Sequence, residues 1–241
     1  MQESKLHSRG KLFFFNKDYI SEFVYGGIDG AITTFAVVAG AEGASLGIKV
    51  VVILGIANLI ADGFSMSVGN FFSTKAEKDS FNKHRQVEYW EIEHLRDREV
   101  QEVREIYAAK GFEGDLLEKV VEVITADKDI WVDTMMKEEL EMVESEKAPY
   151  QTAGVTFFSF IMVGSVPLLS YFFIGGGPEL ESQLFFYSCI LTGVALAIVG
   201  SLKSIVNEKN IIWGILETLM LGGLAAVLAY FVGDVLKEIF I

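Results

Sequence analysis

Between residues 75 and 109, a stretch without proline or glycine, glutamates stand at positions 88, 91, 99 and 102. At roughly 100° per residue in an α-helix, Glu91 lies about 60° behind Glu88, Glu99 about 20° ahead and Glu102 about 40° behind. All four carboxylates would then share a stripe about 80° wide and about 21 Å long, enough for more than one ion. Like charges three residues apart destabilise an isolated helix unless something neutralises them, and a bound cation would do so. The competing reading is an ordinary solvated face, on which Arg85, Arg96, Arg98 and Arg104 pair with the glutamates. Further on, Met135, Met136 and Glu139 put thioethers and a carboxylate on one helical face. Thioether sulfur is a soft ligand that suits ferrous or later transition ions better than magnesium or calcium. Against that stands the common use of methionine to fill core gaps. Glu91-x-x-His94 is half of the glutamate and histidine signature of di-iron carboxylate bundles. That architecture needs two such motifs, and neither His7 nor His84 supplies the second, which argues against an oxidase and leaves His94 to a surface or packing role.

A second group of chemically active residues sits where a bilayer-spanning helix should carry none. Glu22 and Asp29, seven residues apart, fall on nearly one face of an apolar segment at 20–41. Asn58, Asp62, Met66 and Asn70 follow at steps of four along another, at 50–72. An ionisable side chain in hydrocarbon costs at least a few kcal/mol and marks an ion path or a proton relay by default. Hydrogen bonds between helices would account for Asn58 and Asn70. They account poorly for Asp29, because burying a carboxylate costs more than one such bond returns. Glu217 is a further acid within an apolar segment, assigned either to proton coupling or to pairing with a neighbour.

The elements that must position these groups follow from hydropathy. Of the 241 residues 51% are hydrophobic, which is not the composition of an ordinary soluble domain. Five segments reach the length needed to cross a hydrocarbon core, about 20 helical residues: 20–41, 50–72, 151–174, 184–202 and 211–233. The expected class is an all-α membrane protein of five transmembrane helices with a three-helix cytoplasmic metal-binding insert. The expected domains are an N-terminal arm at 1–19, helices 1 and 2 within 20–72, the acidic insert at 73–149, and helices 3 to 5 within 150–241. The insert holds 21 of the 33 acidic and 12 of the 20 basic side chains, a net charge of −9. Such a surface attracts cations and excludes nucleic-acid phosphates as a partner. Within it the reading is one helix over 75–109, a second over 116–125 and a third over 126–146. Its core is assigned to Leu116, Leu117, Val120, Val123, Ile130, Trp131 and Leu140. Lysines and arginines crowd the arm, the insert and the 203–210 loop, while 175–183 has none, so the positive-inside bias puts the N-terminus and the insert in the cytoplasm and the C-terminus outside. The arm reads as retained, since no small-residue cleavage site precedes the first span. Cys189, alone, excludes an intramolecular disulfide and a thiolate-rich zinc or iron–sulfur site. Pro167 should kink the third span. Gly26-x-x-x-Gly30 and Gly222-Gly223 allow close helix approach, either within a subunit or between two.

Tyr25-Gly-Gly-Ile-Asp-Gly30, Thr34-Phe-Ala-Val-Val-Ala-Gly40 and Ala61-Asp-Gly-Phe-Ser-Met-Ser-Val-Gly-Asn70 resemble the first two helices of the vacuolar iron transporter family, which includes the yeast Ccc1-type and plant nodulin-like transporters. The likeness covers the whole chain. It implies a homodimer with five spans per subunit and a translocation path at the dimer interface, exporting ferrous iron from the cytosol in exchange for protons. By the same resemblance Asp29 and Met66 are ligands on that path, with Glu22 an acid one heptad earlier. In the insert Glu88, Glu91, Glu99, Glu102, Met135, Met136 and Glu139 become metal ligands. The chain departs from some members at Asn58 and Asn70, where they carry carboxylates, which bears on ion selectivity and proton stoichiometry.

The expectation is thus a secondary active transporter and not an enzyme, with a path through Glu22, Asp29, Asp62 and Met66. Its cargo is Fe2+, with Mn2+, Zn2+ or Co2+ as further candidates, and it needs no organic cofactor. The membrane is the cell membrane in a prokaryote and the vacuolar membrane in a eukaryote. Two alternatives stand beside it: a manganese-preferring exporter of the same family, and a membrane-anchored metal sensor or chaperone.

Overall fold

The computed structural model describes residues 19–173 and 183–240. The N-terminal arm through residue 18 and the Gly175-Gly176-Gly177-Pro178 turn therefore lie outside the described residues. Among the described residues all regular structure is helical: α1 (Ile20–Gly43), α2 (Ile48–His94), α3 (Arg96–Ala109), α4 (Gly114–Ala126), α5 (Lys128–Glu138), α6 (Pro149–Gly164), a 3-10 turn at Val166–Leu168, α7 (Leu169–Phe173), α8 (Leu184–Val206) and α9 (Ile211–Phe240). Five helices are long and apolar enough to cross a membrane: α1, α2, the run from α6 through α7, α8 and α9. Contacts divide the chain into two units, residues 1–72 with 147–241, and residues 73–146. At 1.5 Å per residue the 47 residues of α2 extend about 70 Å, more than twice a hydrocarbon core. Its apolar run ends at Phe72, and charged residues follow from Lys75.

In the first unit α1 packs against α6, α8 and α9. Lipid tails are as apolar as leucine, so close backbone approach and interhelical hydrogen bonds must hold such helices together. A Cβ at Gly30 would stand 2.5 Å from the Phe160 carbonyl oxygen, and one at Gly26 would stand 2.3 Å from Ser159 Oγ. Gly26-x-x-x-Gly30 is therefore spent on packing α1 against α6 within the chain. Hydrogen bonds add to this. Asn70 Nδ2 donates to Thr156 Oγ1 at 2.7 Å and Ser67 Oγ to the Ala153 carbonyl at 2.9 Å, joining α2 to α6. Pro167 sits in the 3-10 turn that interrupts the third span, and its carbonyl accepts from Ser188 Oγ of α8 at 2.7 Å.

The second unit encloses a core of Phe81 and Ile92 from α2, Val103 from α3, Val121 and Ile124 from α4, and Trp131, Val132, Met135 and Met136 from α5. Three sequence expectations change here. The helix over 75–109 breaks at Leu95, whose φ of −124° and ψ of 33° leave the helical region, and α3 starts afresh at Arg96. Leu116, Val123 and Ile130 are 59%, 68% and 50% exposed, while Leu117, Val120, Leu140 and Trp131 do contribute to the core. The doubled pairs Leu116-Leu117, Val120-Val121 and Val123-Ile124 present two adjacent apolar stripes on α4, and the fold buries the one through 117, 121 and 124. Finally, α5 ends at Glu138 and not at 146: the amides of Glu139 and Leu140 both reach the Met135 carbonyl, Met142 N–H reaches Met136, and Glu141 takes a left-handed φ of 52°. The start of α5 is set by Asp127, whose Oδ1 caps the amides of Asp129 and Ile130 at 2.9 and 3.0 Å.

Candidate metal-handling clusters

The break at Leu95 decides how the insert's glutamates meet. On one straight helix Glu88 and Glu102 would stand about 21 Å apart. Instead Glu88 lies within electrostatic range of Glu139, Glu91 and Glu102, and Glu99 within range of Glu102, Glu88, Glu91 and Glu139. Five carboxylates from α2, α3 and the end of α5 thus gather in one basin. Glu88 and Glu99 are 3% and 2% exposed, and the Oε2 of each has no hydrogen-bond partner among the described residues. Burial, then the neighbouring carboxylates, push both side chains up to about 7. Burial and the charges of Glu102 and Glu91 raise Glu139 as well, against the opposing pull of Arg98.

The arginines that might have made this an ordinary solvated face are mostly engaged elsewhere. Arg98 pairs with Glu102 at 2.9 Å, but Arg85 reaches Asp133 at 3.5 Å and Arg104 takes Glu118 at 3.0 Å. Arg96 lies over the Trp131 ring, 5.1 Å from its centroid. Lys128 and Lys110 pair with Glu93 and Glu138, outside the cluster. A concentration of negative charge without matching cations is held together only at a cost that a bound cation removes. Met135 and Met136 are fully buried in the core, so their packing role is plain, and α5 carries Glu139 immediately past its end. Among the described residues no three His, Cys, Asp or Glu side chains converge tightly enough to enclose a metal ion. His94 is exposed and stacks on Trp90 at 4.5 Å, as a surface histidine would.

In the first unit the acids separate into two arrangements. Asp29 of α1 is half-buried and lies within electrostatic range of the exposed Asp62 of α2. Met66, one turn beyond Asp62, is half-buried against the cluster of Val38, Leu59 and Phe160. Glu22 is not left to an ion. Its side chain, 13% exposed, pairs with Lys147 at 2.6 Å, just before α6. The same corner is closed by Tyr19, whose hydroxyl donates to Gln151 Oε1 and accepts from the Ala148 amide at 3.0 Å. Sequence reading missed Lys147 as a partner. The signal was available, since Lys147 is the last basic residue before the third span and Glu22 lies near the start of the first. Glu217 pairs with Lys203 at 2.9 Å, the neighbour that the second of its two alternatives called for. Asn70 makes the interhelical bond expected of it, whereas Asn58 Nδ2 is buried without a partner among the described residues.

The chain is 34% identical over 229 residues to the vacuolar iron transporter of Toxoplasma gondii, covering 92% of this chain and 76% of that protein. It is 32% identical over 231 residues to the vacuolar iron transporter of Plasmodium berghei, covering 92% and 84%. It is 28% identical over 238 residues to vacuolar iron transporter 1 of Tulipa gesneriana, covering 98% and 95%. The sequence profile of the VIT family matches residues 20–234, from the first residue of α1 to within the last two turns of α9. The chain belongs to the VIT family.

Proposed function

We propose that this chain is a secondary transporter that exports a divalent metal ion, ferrous iron first, from the cytosol in exchange for protons, as a homodimer. Iron as cargo is supported by the names of the relatives, vacuolar iron transporters from apicomplexans and plants. The observation that carries transport, as against a membrane-anchored sensor, is the pair of acids Asp29 and Asp62 within apolar spans, for which a mere anchor has no use. Cytosolic ions gather on Glu88, Glu91, Glu99, Glu102 and Glu139, and the net charge of −9 in the insert raises their local concentration. Asp29, Asp62 and Met66 form the membrane path, with Glu22 at its near end. Protonation of the path carboxylates on the far side releases the metal, because a protonated carboxylate is a poor ligand. A cytoplasmic side for the insert and the 203–210 loop is supported by their lysines and arginines under the positive-inside bias.

The test is proteoliposomes loaded with a ferrous-sensitive dye. An imposed proton gradient drives ferrous uptake by the parent protein, and Asp29→Asn, which keeps the side-chain shape, abolishes it. No uptake by the parent, or undiminished uptake by Asp29→Asn, refutes the proposal. Competition by manganous, zinc and cobaltous ions in the same vesicles ranks the cargo.

A further inference from the structure

Two cavities meet at the Lys203 end of α8, and they differ in character. One, about 370 Å3, is lined by Lys203, Asn207, Lys209, Asn210, Trp213 and Glu217 together with Ser204 and Gly214. The other, about 300 Å3, runs between α1 and α8 along Ile20, Val24, Tyr25, Ile28 and Val206, and shares Lys203 and Asn207 with the first. A polar basin thus lies beside an apolar groove, with the Lys203 and Asn207 side chains lining both.

The polar basin is built by the turn between α8 and α9. The Asn207 amide returns to the Lys203 carbonyl at 3.2 Å and the Lys209 amide to the Ser204 carbonyl at 2.9 Å, with Glu208 in the left-handed region at a φ of 52°. This fold-back holds Lys209 beside the end of α8. Asn210 then caps α9 by accepting from the Ile212 amide at 2.9 Å. Lys203 gives one of its three ammonium donors to Glu217, and Lys209 has no ion pair among the described residues. The charged groups lining the basin are two lysines and one glutamate, a net charge of +1. Beside it Ile205, Val206, Ile212 and Trp213 are exposed, the apolar and aromatic surface that belongs at the level of lipid headgroups.

We propose that these adjacent cavities seat one anionic phospholipid, with its phosphate held between Lys203 and Lys209 and an acyl chain laid along Ile20, Val24 and Ile28. Basic pockets between transmembrane helices hold anionic headgroups. A free phosphate would satisfy the lysines but leave the apolar groove unfilled, so the adjacency of the two cavities, which share Lys203 and Asn207, favours the lipid. The net charge of the lining favours a headgroup of net negative charge over a zwitterion. The lining of the two cavities includes none of Glu22, Asp29, Asp62 and Met66.

Native mass spectrometry of the full chain in mild detergent, with phosphatidylglycerol or phosphatidylcholine added at equal concentration, tests the proposal. The parent protein retains phosphatidylglycerol in preference to phosphatidylcholine. Lys209→Gln, on an exposed turn and outside the Lys203–Glu217 pair, lowers that retention about fivefold. Lys203→Gln with Lys209→Gln removes the preference, and Ile28→Trp, which fills the groove, lowers retention of long-chain lipid while leaving both lysines in place. The elution volume and helical circular dichroism of each variant show that it is folded. Equal retention of the two lipids by the parent, or unchanged preference in the double variant, overturns the proposal. So does thermal protection by inorganic phosphate alone that equals protection by phosphatidylglycerol, since the site would then take a free anion.

Discussion

Glu88 and Glu99 make the insert's stability depend on pH in a direction opposite to that of an ordinary surface carboxylate. Both are pushed from 4.5 up to about 7 by burial and by each other's neighbours. Below the unfolded value both states are protonated and the stabilisation is complete. Between 4.5 and about 7 the unfolded chain ionises while the folded unit keeps its protons, so stability falls as pH rises through the folded value. At about 1.4 kcal/mol per unit, each shift corresponds to at most about 3 kcal/mol, and the two together to less than twice that because they share the same repulsion. Glu88→Gln, a neutral mimic of the protonated acid, should therefore leave the metal-free insert unchanged near about pH 5 and stabilise it by about 1–3 kcal/mol near about pH 8. The assay is hydrogen exchange of α3 and α5 amides in the full-length protein in detergent, with a chelator present and rates corrected for the intrinsic pH dependence of exchange. Adding manganous ion at the higher pH should restore protection in the parent and do so less in Glu88→Gln, because the ion takes over the role of the protons. Protection in the metal-free parent that does not decline from about pH 5 to about pH 8, or a Glu88→Gln protein less protected than the parent at the higher pH, would refute the reasoning.

Three further outcomes follow from packing and pairing. Gly30→Ala, whose Cβ would meet the Phe160 carbonyl oxygen at 2.5 Å, should lower thermal stability in detergent by about 1–3 kcal/mol, while Gly223→Ala, facing open space, should be neutral or slightly stabilising. Trp131→Ala should cost the insert about 3–5 kcal/mol, whereas Ile130→Ser at an exposed neighbouring position should stay within about 0.5 kcal/mol, both read by hydrogen exchange. Lys147→Met leaves the Glu22 carboxylate without its 2.6 Å partner and should lower the melting temperature. Adding Glu22→Gln should recover most of the loss, and an equally unstable double variant would show that the pair is incidental.

The membrane part of this protein was legible because hydropathy and helix length answer to one solvent constraint. In hydrocarbon every backbone group must be satisfied within its own helix, so each of the five apolar runs of spanning length lies in a helical span, although the second continues as helix to His94 and the third is interrupted at Val166–Leu168. Asp29 stood out for the same reason, as did the proline that interrupts the third span. The insert was less legible. Nothing in Glu93-His94-Leu95-Arg96 announces a break, since no glycine or proline marks it, and α4 offers two apolar stripes of nearly equal quality. Helical periodicity cannot choose between such stripes, because the choice is made by what packs against them.

The five apolar spans, the positions of the acids within them and the family resemblance could be read from the sequence, because they depend on local pattern and on residue chemistry. Partnerships could not. Arg85, Arg96 and Arg104 were as close in sequence to Glu88, Glu91, Glu99 and Glu102 as Arg98, yet only Arg98 pairs with one of these four. The bend at Leu95 and the placement of α5 leave Glu88 and Glu99 buried and uncompensated. Likewise only the approach of α6 to α1 gives Glu22 to Lys147 while Asp29 lies near Asp62. Charge pairing is a property of distance and burial, and those are set only when the helices pack.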